Sequence, residues 1–281
     1  MTKTVLITGS STGLGYATAK KFANEGWNVV ATMRKADQRL TEENPERIFV
    51  TELDVTKPAT IEAAIAAGIA RFGRIDAVVN NAGISVLSIF EATPMNVIRQ
   101  IFETNVFGVI AVIQAITPYF REQGSGTIIN ITSNVGFTSN PLLSFYVATK
   151  HAIEGLSESL SYELESQNIS VKLIEPGSMQ TTNFASNTMS ASQDVSIPQA
   201  YKSYFDHMMN AMMNYPFECA DENQAADQVY AAACDPSARL RYLAGPDSEE
   251  TARLRWTQSE ETYMQTMRNL LGQTAWLNRQ A

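Results

Sequence analysis

A chain of 281 residues with 44% hydrophobic content is long enough to bury one large core. Its 21 basic and 29 acidic residues give a net charge of −8 and a pI of about 4.9. That balance, with no Lys/Arg cluster, argues against nucleic acid or anionic membrane as a partner. The two cysteines, Cys219 and Cys234, lack CxxC spacing and fit a reducing compartment. The two histidines, His151 and His207, lack ligand spacing, so no metal site is expected. The opening MTKTVLITG (1–9) lacks the pattern of a signal peptide. The apolar run VFGVIAVIQAI (106–116) is expected to be too short to span a bilayer and to stop at Thr117-Pro118. The expectation is a soluble cytoplasmic protein.

In chain order, short β-branched runs alternate with helical stretches. TVLIT (4–8) reads as a strand, and the helical pattern LGYATAKKFANEG then ends on Gly26, a C-cap residue. NVVAT (28–32), RIFVTELDV (47–55) and DAVVN (76–80) read as further strands. Thr93-Pro94 is expected to open the next helix, with Thr93 as cap and Pro94 in the first turn, where its missing N–H costs nothing. GTIINIT (126–132) follows as a strand, and in 144–167 Ile153, Leu156, Leu160 and Leu164 share one helix face. SVKLIEP (170–176) and RYLAG (241–245) are the last strands. The runs are apolar rather than alternating, as in strands covered on both faces. The pattern therefore predicts a single α/β domain over 1–281, a parallel sheet of about seven strands with helices on both faces. Residues 182–240, rich in Ser, Asn and Met, read as an insertion with one or two helices, and 247–272 as a closing helical segment.

TGSSTGLG (8–15) joins the first strand to the first helix. Gly9 permits the tight turn, Gly13 lets backbone approach a pyrophosphate, and Gly15 allows close helix–strand packing. The helix start offers free N–H groups and a positive dipole end. An ordinary βα turn would use the same residues, but the first βα junction is where a nucleotide site belongs.

This G-x-x-x-G-x-G turn resembles that of the short-chain dehydrogenase/reductase family. Further elements follow in that family's order: Asp54 in LDV, NNAG at 80–83, Asn105 before a helix, and Ser133 ahead of Tyr146 and Lys150. PGSMQT (176–181) is similar to the family's nicotinamide-side loop. The resemblance implies a Rossmann-type doubly wound fold and an oxidoreductase using NAD(H) or NADP(H). It implies that Gly9, Ser11, Thr12, Gly13, Leu14 and Gly15 surround the phosphates, and that Asp54 and Val55 hold the adenine. It puts Asn80, Ala82 and Gly83 beneath the cofactor, Pro176, Gly177 and Thr181 beside the nicotinamide, and Tyr146 and Lys150 on its ribose. A homodimer or homotetramer through the helices beginning near 94 and 145 is implied as well.

The second strand ends VVATMRKAD. An acidic residue at this point bonds the ribose 2′-hydroxyl of NAD, whereas arginine accommodates the 2′-phosphate of NADP. Met33 stands where NAD-preferring members of the family carry Asp, and Arg34 and Lys35 follow. Arginine's planar fork suits a phosphate, so NADP(H) is favoured over NAD(H). The same two residues could simply open a solvated loop.

Tyr146 and Lys150, four residues apart, share a helix face. A free tyrosine has a pKa of about 10 and is a poor proton carrier at neutral pH. An ammonium about 5 Å away, at an effective dielectric of ~20, stabilises the phenolate by roughly 3 kcal/mol, a downward shift of ~2 pKa units. The expected chemistry is proton donation from Tyr146 to a carbonyl oxygen while hydride reaches the carbonyl carbon. Ser133 would hydrogen-bond that oxygen. Lys150 would lower the Tyr146 pKa, and the resemblance implies that Asn105 holds a water between Lys150 and solvent. Taken singly, Ser133 could be a turn hydroxyl, Asn105 a helix polar group bonded to backbone, and Lys150 a solvated lysine.

Five of the eleven methionines fall within 189–213, with Phe184, Tyr201, Tyr204, Phe205 and Tyr215 nearby. These would form a lid near 182–215 over a bulky apolar ketone or aldehyde, or a helix face buried on the protein. Two enzyme readings follow: an NADPH-dependent carbonyl reductase resembling the hydroxysteroid- and retinol-dehydrogenase-like branch, or a dedicated dehydrogenase or 3-oxoacyl reductase. The small-molecule partner is then a carbonyl or alcohol. A non-catalytic cofactor-sensing protein of the same fold typically lacks the tyrosine or lysine, and both are present.

Overall fold

The computed structural model describes residues 2–179, 182–192 and 195–279. Its centre is a seven-stranded, all-parallel sheet: β1 (Thr4–Ile7), β2 (Asn28–Met33), β3 (Ile48–Glu52), β4 (Ala77–Asn80), β5 (Gly126–Ile131), β6 (Ile169–Pro176) and β7 (Arg241–Ala244). The order across it is β3-β2-β1-β4-β5-β6-β7. The order in which strands are added therefore reverses between β1 and β4, the place where α/β sheets open a crevice at the strands' carboxyl ends.

Successive residues of a strand face opposite layers, so a strand covered twice must be apolar at every position. Val5, Ile7, Val29 and Ala31 join one core, Leu6 and Val30 the other. The first core is closed by helices α1 (Gly13–Asn24) and α9 (Glu222–Cys234), whose Phe22, Ala225 and Val229 are fully buried. On the second face lie α3 (Pro58–Phe72), α5 (Gly108–Gln123) and α6 (Ser144–Glu165). The short α2 (Arg39–Glu43) follows β2, and α4 (Met95–Phe102) runs through a π-helical turn, Glu103–Phe107, into α5. Beyond β6 come α7 (Phe184–Ser192) and α8 (Lys202–Met213), and after β7 come α10 (Pro246–Thr257), α11 (Glu260–Leu270) and α12 (Gln273–Asn278).

Three local expectations are corrected. Thr93 does not cap α4: its hydroxyl donates to the Ile89 carbonyl at 2.8 Å and closes the preceding turn, while Pro94 itself stands at the cap. The helix does not stop at Thr117-Pro118 but continues to Gln123. Pro118 removes one backbone donor, and the Thr117 hydroxyl bonds the Ile113 carbonyl at 2.6 Å beside the gap. The 29-residue stretch Met95–Gln123 is thus long and apolar enough to cross a membrane by composition. Here Ile101, Val109, Val112, Ile113, Ile116 and Phe120 are buried within the protein. Finally, the irregular insertion ends before α9, which packs under the sheet and opens with a full capping box at Asp221 and Gln224.

Candidate active site

The β1–α1 turn is shaped by what cannot fit in it. Gly9 has φ +71°, and a Cβ on Gly15 would lie 2.3 Å from the Gly9 carbonyl oxygen and 2.4 Å from the Asn81 side-chain nitrogen. Thr12 precedes α1 in extended backbone and makes no side-chain cap, and the first turn carries no acidic residue. The first N–H groups of α1 are therefore open to an anion, with the positive end of the helix dipole behind them. Ser11 and Thr12 are exposed there, and Leu14 is buried beneath.

The β4 turn is tied to this cradle by Asn81, which sequence reasoning passed over in favour of Asn80. Asn81 Nδ2 donates to the carbonyls of Thr8 (2.9 Å) and Gly9 (3.1 Å), and the Thr8 hydroxyl accepts the N–H groups of Asn81 and Ala82. Asn80 instead turns inward, donating to Asn130, which donates to Ser157 on α6. The Asn80 oxygen is buried without a hydrogen-bond partner. The doubled Asn was the available signal, but which of two adjacent residues faces the turn depends on strand parity.

At the β2 end Met33 is buried and Arg34 and Lys35 are exposed. Arg39 also reaches this corner: it pairs with Asp37 at 2.7 Å and donates to the Ser11 carbonyl at 3.4 Å. It was not visible in the sequence, because α2 brings it back to the glycine turn. The Asp54 carboxylate is engaged by the Thr56 N–H and hydroxyl and by Lys57 at 3.5 Å, while Val55 is buried.

Ser133, Tyr146 and Lys150 meet at the end of β5. Ser133 Oγ donates to the Pro176 carbonyl at 3.3 Å and accepts the Val135 N–H. It neighbours the Tyr146 hydroxyl closely enough to favour the phenolate. Lys150 Nζ donates to the Ile131 carbonyl at 2.8 Å and sits 5.5 Å from the centre of the Tyr146 ring. The Phe184 ring covers Tyr146, centroids 5.7 Å apart, and leaves the tyrosine 9% exposed.

Burial changes the expected charge balance. It pushes the Tyr146 phenol above its ordinary range, with the neighbouring Ser133 hydroxyl acting in the other direction. It also pulls the Lys150 ammonium down to about 8, opposed by the charge of Glu154. Burial is the largest influence on the phenol in this arrangement.

Asn105 lies in the π-helical turn, a break that frees it from the regular helix ladder. Its amide donates to the Ile84 carbonyl at 2.8 Å and the Thr149 hydroxyl at 3.1 Å, and its oxygen accepts the Ile84 N–H. Both side-chain amide hydrogens are engaged by protein, so the amide clamps the loop beyond Gly83 to α6 beside Lys150. Pro176 and Gly177 end β6, with the Gly177 N–H on the Ala244 carbonyl. Thr181 lies outside the described residues, and Thr182 stands against Gly13.

The family model described as short chain dehydrogenase matches residues 3–192. This chain belongs to the short-chain dehydrogenase family. It is 39% identical over 254 residues to the uncharacterized oxidoreductase YusZ of Bacillus subtilis, covering 86% of this chain and 89% of that one. Among solved structures, a short-chain dehydrogenase from Streptomyces avermitilis superposes with a TM-score of 0.79 at 30% identity, covering 99% of this chain and 98% of that one. A 3-ketoacyl-(acyl-carrier-protein) reductase from Brucella melitensis complexed with NADH superposes with a TM-score of 0.72 at 26% identity, covering 86% and 96%. This short-chain dehydrogenase is thus an oxidoreductase acting on CH–OH groups.

The glycine cradle, the uncapped helix and the Lys150 ammonium suit a nicotinamide dinucleotide: backbone donors for a pyrophosphate and a cation at the nicotinamide end. Among the described residues no His/Cys/Asp/Glu group could hold a metal ion.

The substrate side is built differently. Met208 is fully buried among Leu87, Ile89 and Leu142, with Tyr201, Tyr204, Met209 and Met212 packed around it. Much of the methionine-rich segment is therefore core, although Met189 and Met213 are exposed. A cavity of about 330 Å³ lies between this segment and the 88–91 and 141–144 loops. Tyr146 does not line it; the Phe184 ring packs against the Tyr146 ring instead.

Proposed function

We propose that this dehydrogenase transfers hydride reversibly between NADP(H) and a carbonyl or alcohol, working mainly as an NADPH-dependent reductase of apolar ketones or aldehydes. The observation that carries the chemistry is the convergence of Ser133, Tyr146 and Lys150 in one desolvated spot beside the glycine turn.

Gly9, Ser11, Thr12, Gly13, Leu14 and Gly15 would hold the phosphates, Asp54 and Val55 the adenine, and Asn81 and Ala82 the floor. Gly83, Pro176, Gly177 and Thr181 would flank the nicotinamide. Bound there, the reduced nicotinamide supplies two electrons and one hydrogen to the carbonyl carbon. Tyr146 gives its proton to the carbonyl oxygen, the Tyr146 O–H bond breaks, and the alcohol O–H bond forms. Ser133 donates a hydrogen bond to that oxygen as negative charge develops. Lys150 stabilises the phenolate left behind, and Phe184 keeps water away until a substrate displaces it. Asn105 positions α6 through Thr149. The raised phenol pKa suits an acid that stays protonated until the reaction demands its proton.

Preference for NADP(H) rests on Arg34, which is exposed with no hydrogen bond or ion pair among the described residues, and on Arg39 at the Ser11 carbonyl. The apolar substrate class rests on the Met and aromatic walls of 184–213. Exposed Phe107 and Tyr162, on the helices expected to pair, support a homo-oligomer. A cytoplasmic location remains part of the proposal through the unpaired cysteines.

Following NADPH absorbance over ketones, aldehydes and 3-oxoacyl thioesters tests this reading. Turnover of several apolar ketones is expected. Turnover confined to oxoacyl thioesters would make the protein a dedicated 3-oxoacyl reductase instead. Cofactor binding without turnover on any carbonyl would leave only a cofactor-sensing protein.

A further inference from the structure

Directly beneath the catalytic lysine lies a second group of ionisable side chains that the chemistry above does not use. Glu154 follows Lys150 by one helical turn on the same face of α6 and is buried. Glu175, at the end of β6, is completely buried, and among the described residues neither of its carboxylate oxygens has a hydrogen-bond partner within ordinary geometry. Arg241 on β7 reaches both: its Nε is 3.1 Å from Glu154 and 3.4 Å from Glu175, and its Nη2 is 2.6 Å from Glu158 on the α6 surface. One half-buried guanidinium thus faces two buried carboxyls, and two adjacent carboxyls in a dry site cannot both stay ionised.

Glu154 is also wired to the reacting residues. Its Oε1 accepts the Thr132 hydroxyl at 2.6 Å, which also contacts the Ile174 carbonyl at 3.1 Å. Thr132 lies between Ile131, whose carbonyl receives the Lys150 ammonium, and Ser133. Glu154 therefore holds the residue that joins the Lys150 acceptor to Ser133. From β5 the Thr132 hydroxyl faces Glu154, and Gly136 in the turn after it packs against the Glu154 side chain. From α10, Ser248 donates to the Glu175 carbonyl, and Asp247 turns away to the Ser178 N–H.

We propose that Glu154 is a positioning residue that keeps Lys150 charged, and that Glu175 shares its proton and so sets the pH range over which Lys150 can act. This rests on the Tyr146–Lys150 chemistry proposed above and goes beyond it, because neither carboxyl touches substrate or cofactor. Burial and the neighbouring carboxyl both push Glu175 up, to about 8, and burial also raises Glu154. The pair consequently changes charge in the range where Lys150 itself titrates.

The test is the pH profile of kcat/KM for ketone reduction in Glu154→Gln, which keeps the shape and the Thr132 acceptor while losing the charge. Lys150 then loses its proton at lower pH, and the alkaline limb should move down by about one pH unit, the scale of one charge removed at i,i+4 spacing. NADPH affinity should stay within about twofold, since no cofactor contact is lost, and Glu154→Asp should restore part of the limb. A profile that superimposes on the parent overturns the proposal, as does a uniform loss of turnover with a lower Tm and no limb shift. If Glu154→Gln does not fold, Glu175→Gln carries the test. It leaves Glu154 charged over a wider range, so the alkaline limb should move up, and an unmoved limb overturns the proposal. Tyr146→Phe, run in parallel, separates the two levels: retained turnover there sinks the carbonyl chemistry itself. Lost turnover there with an unshifted Glu154→Gln profile sinks only the carboxylate coupling.

Discussion

At the carboxyl ends of β1 and β4 the backbone is held by short polar contacts with no room for a side chain. Across the cleft, α7 and α8 are held mainly by apolar packing, with isolated polar ties from Ser192 to the Leu87 N–H and from His207 to the Gly272 carbonyl. On the first side, Asn81 and Thr8 join the two turns by hydrogen bonds to backbone, and Gly15 lies flat on Gly9. On the second side, Met208 and its aromatic neighbours fill space without fixing a unique polar geometry. The difference suits the two ligands. A dinucleotide is always the same shape and rewards a preformed backbone mould, whereas an adaptable wall tolerates a range of carbonyls.

Substitutions that attack the mould should have the largest effects. Gly15→Ala places a methyl group 2.3 Å from the Gly9 carbonyl, and such overpacking costs about 1–3 kcal/mol. Both the melting temperature and NADPH binding, read by nicotinamide fluorescence, should fall sharply. Unchanged NADPH affinity would show that the turn is not the phosphate site. Next in size, replacing Arg34 and Arg39 together with Ser should raise KM for NADPH about ten- to hundredfold, the loss of a charge-assisted hydrogen bond of about 1.5–3 kcal/mol. KM for NADH should hardly change; an equal rise for both cofactors would rule out 2′-phosphate recognition.

On the adaptable side the effects should be smaller. Phe184→Ala uncovers Tyr146 and should raise kcat/KM for bulky ketones by less than about tenfold, with small ketones unaffected. A large loss for every substrate would mean that Phe184 is a fixed part of the catalytic wall.

A separate effect, on stability against pH rather than on turnover, lies under both regions and is read in Glu175→Gln. Burial raises the folded-state pKa of Glu175 from 4.5 to about 8. The stabilisation carried by its proton is complete below the unfolded-state value and drains away as the pH climbs to about 8. Relative to Glu175→Gln, the parent protein should therefore lose melting temperature between those pH values. Parallel curves would show that Glu175 is ionised throughout.

The same contrast decides what could be read from residue order. The strands of the cofactor half were legible because a doubly covered sheet demands continuous apolar runs, and the glycine turn because its spacing is a backbone requirement. The placement of α9 was not, since its alanine-rich face looks like the irregular stretch before it until it meets α1 and the sheet. Nor was the inward turn of Asn80, the anchoring of Asn105 by Ile84 and Thr149, or the reach of Arg39 to Ser11. Each depends on parity or on contacts between distant segments. The Tyr146–Lys150 pair was visible as a helical spacing, but the raised phenol pKa was not, because desolvation by Phe184 and the sheet end is a property of packing.

Turnover of an apolar ketone by Tyr146→Phe, with NADPH binding measured on the same preparation, tests the central claim most directly. Loss of a positioned general acid predicts kcat lower by about 10²–10⁴-fold with cofactor affinity retained. Turnover within a few-fold of the parent, with NADPH still bound, would contradict it.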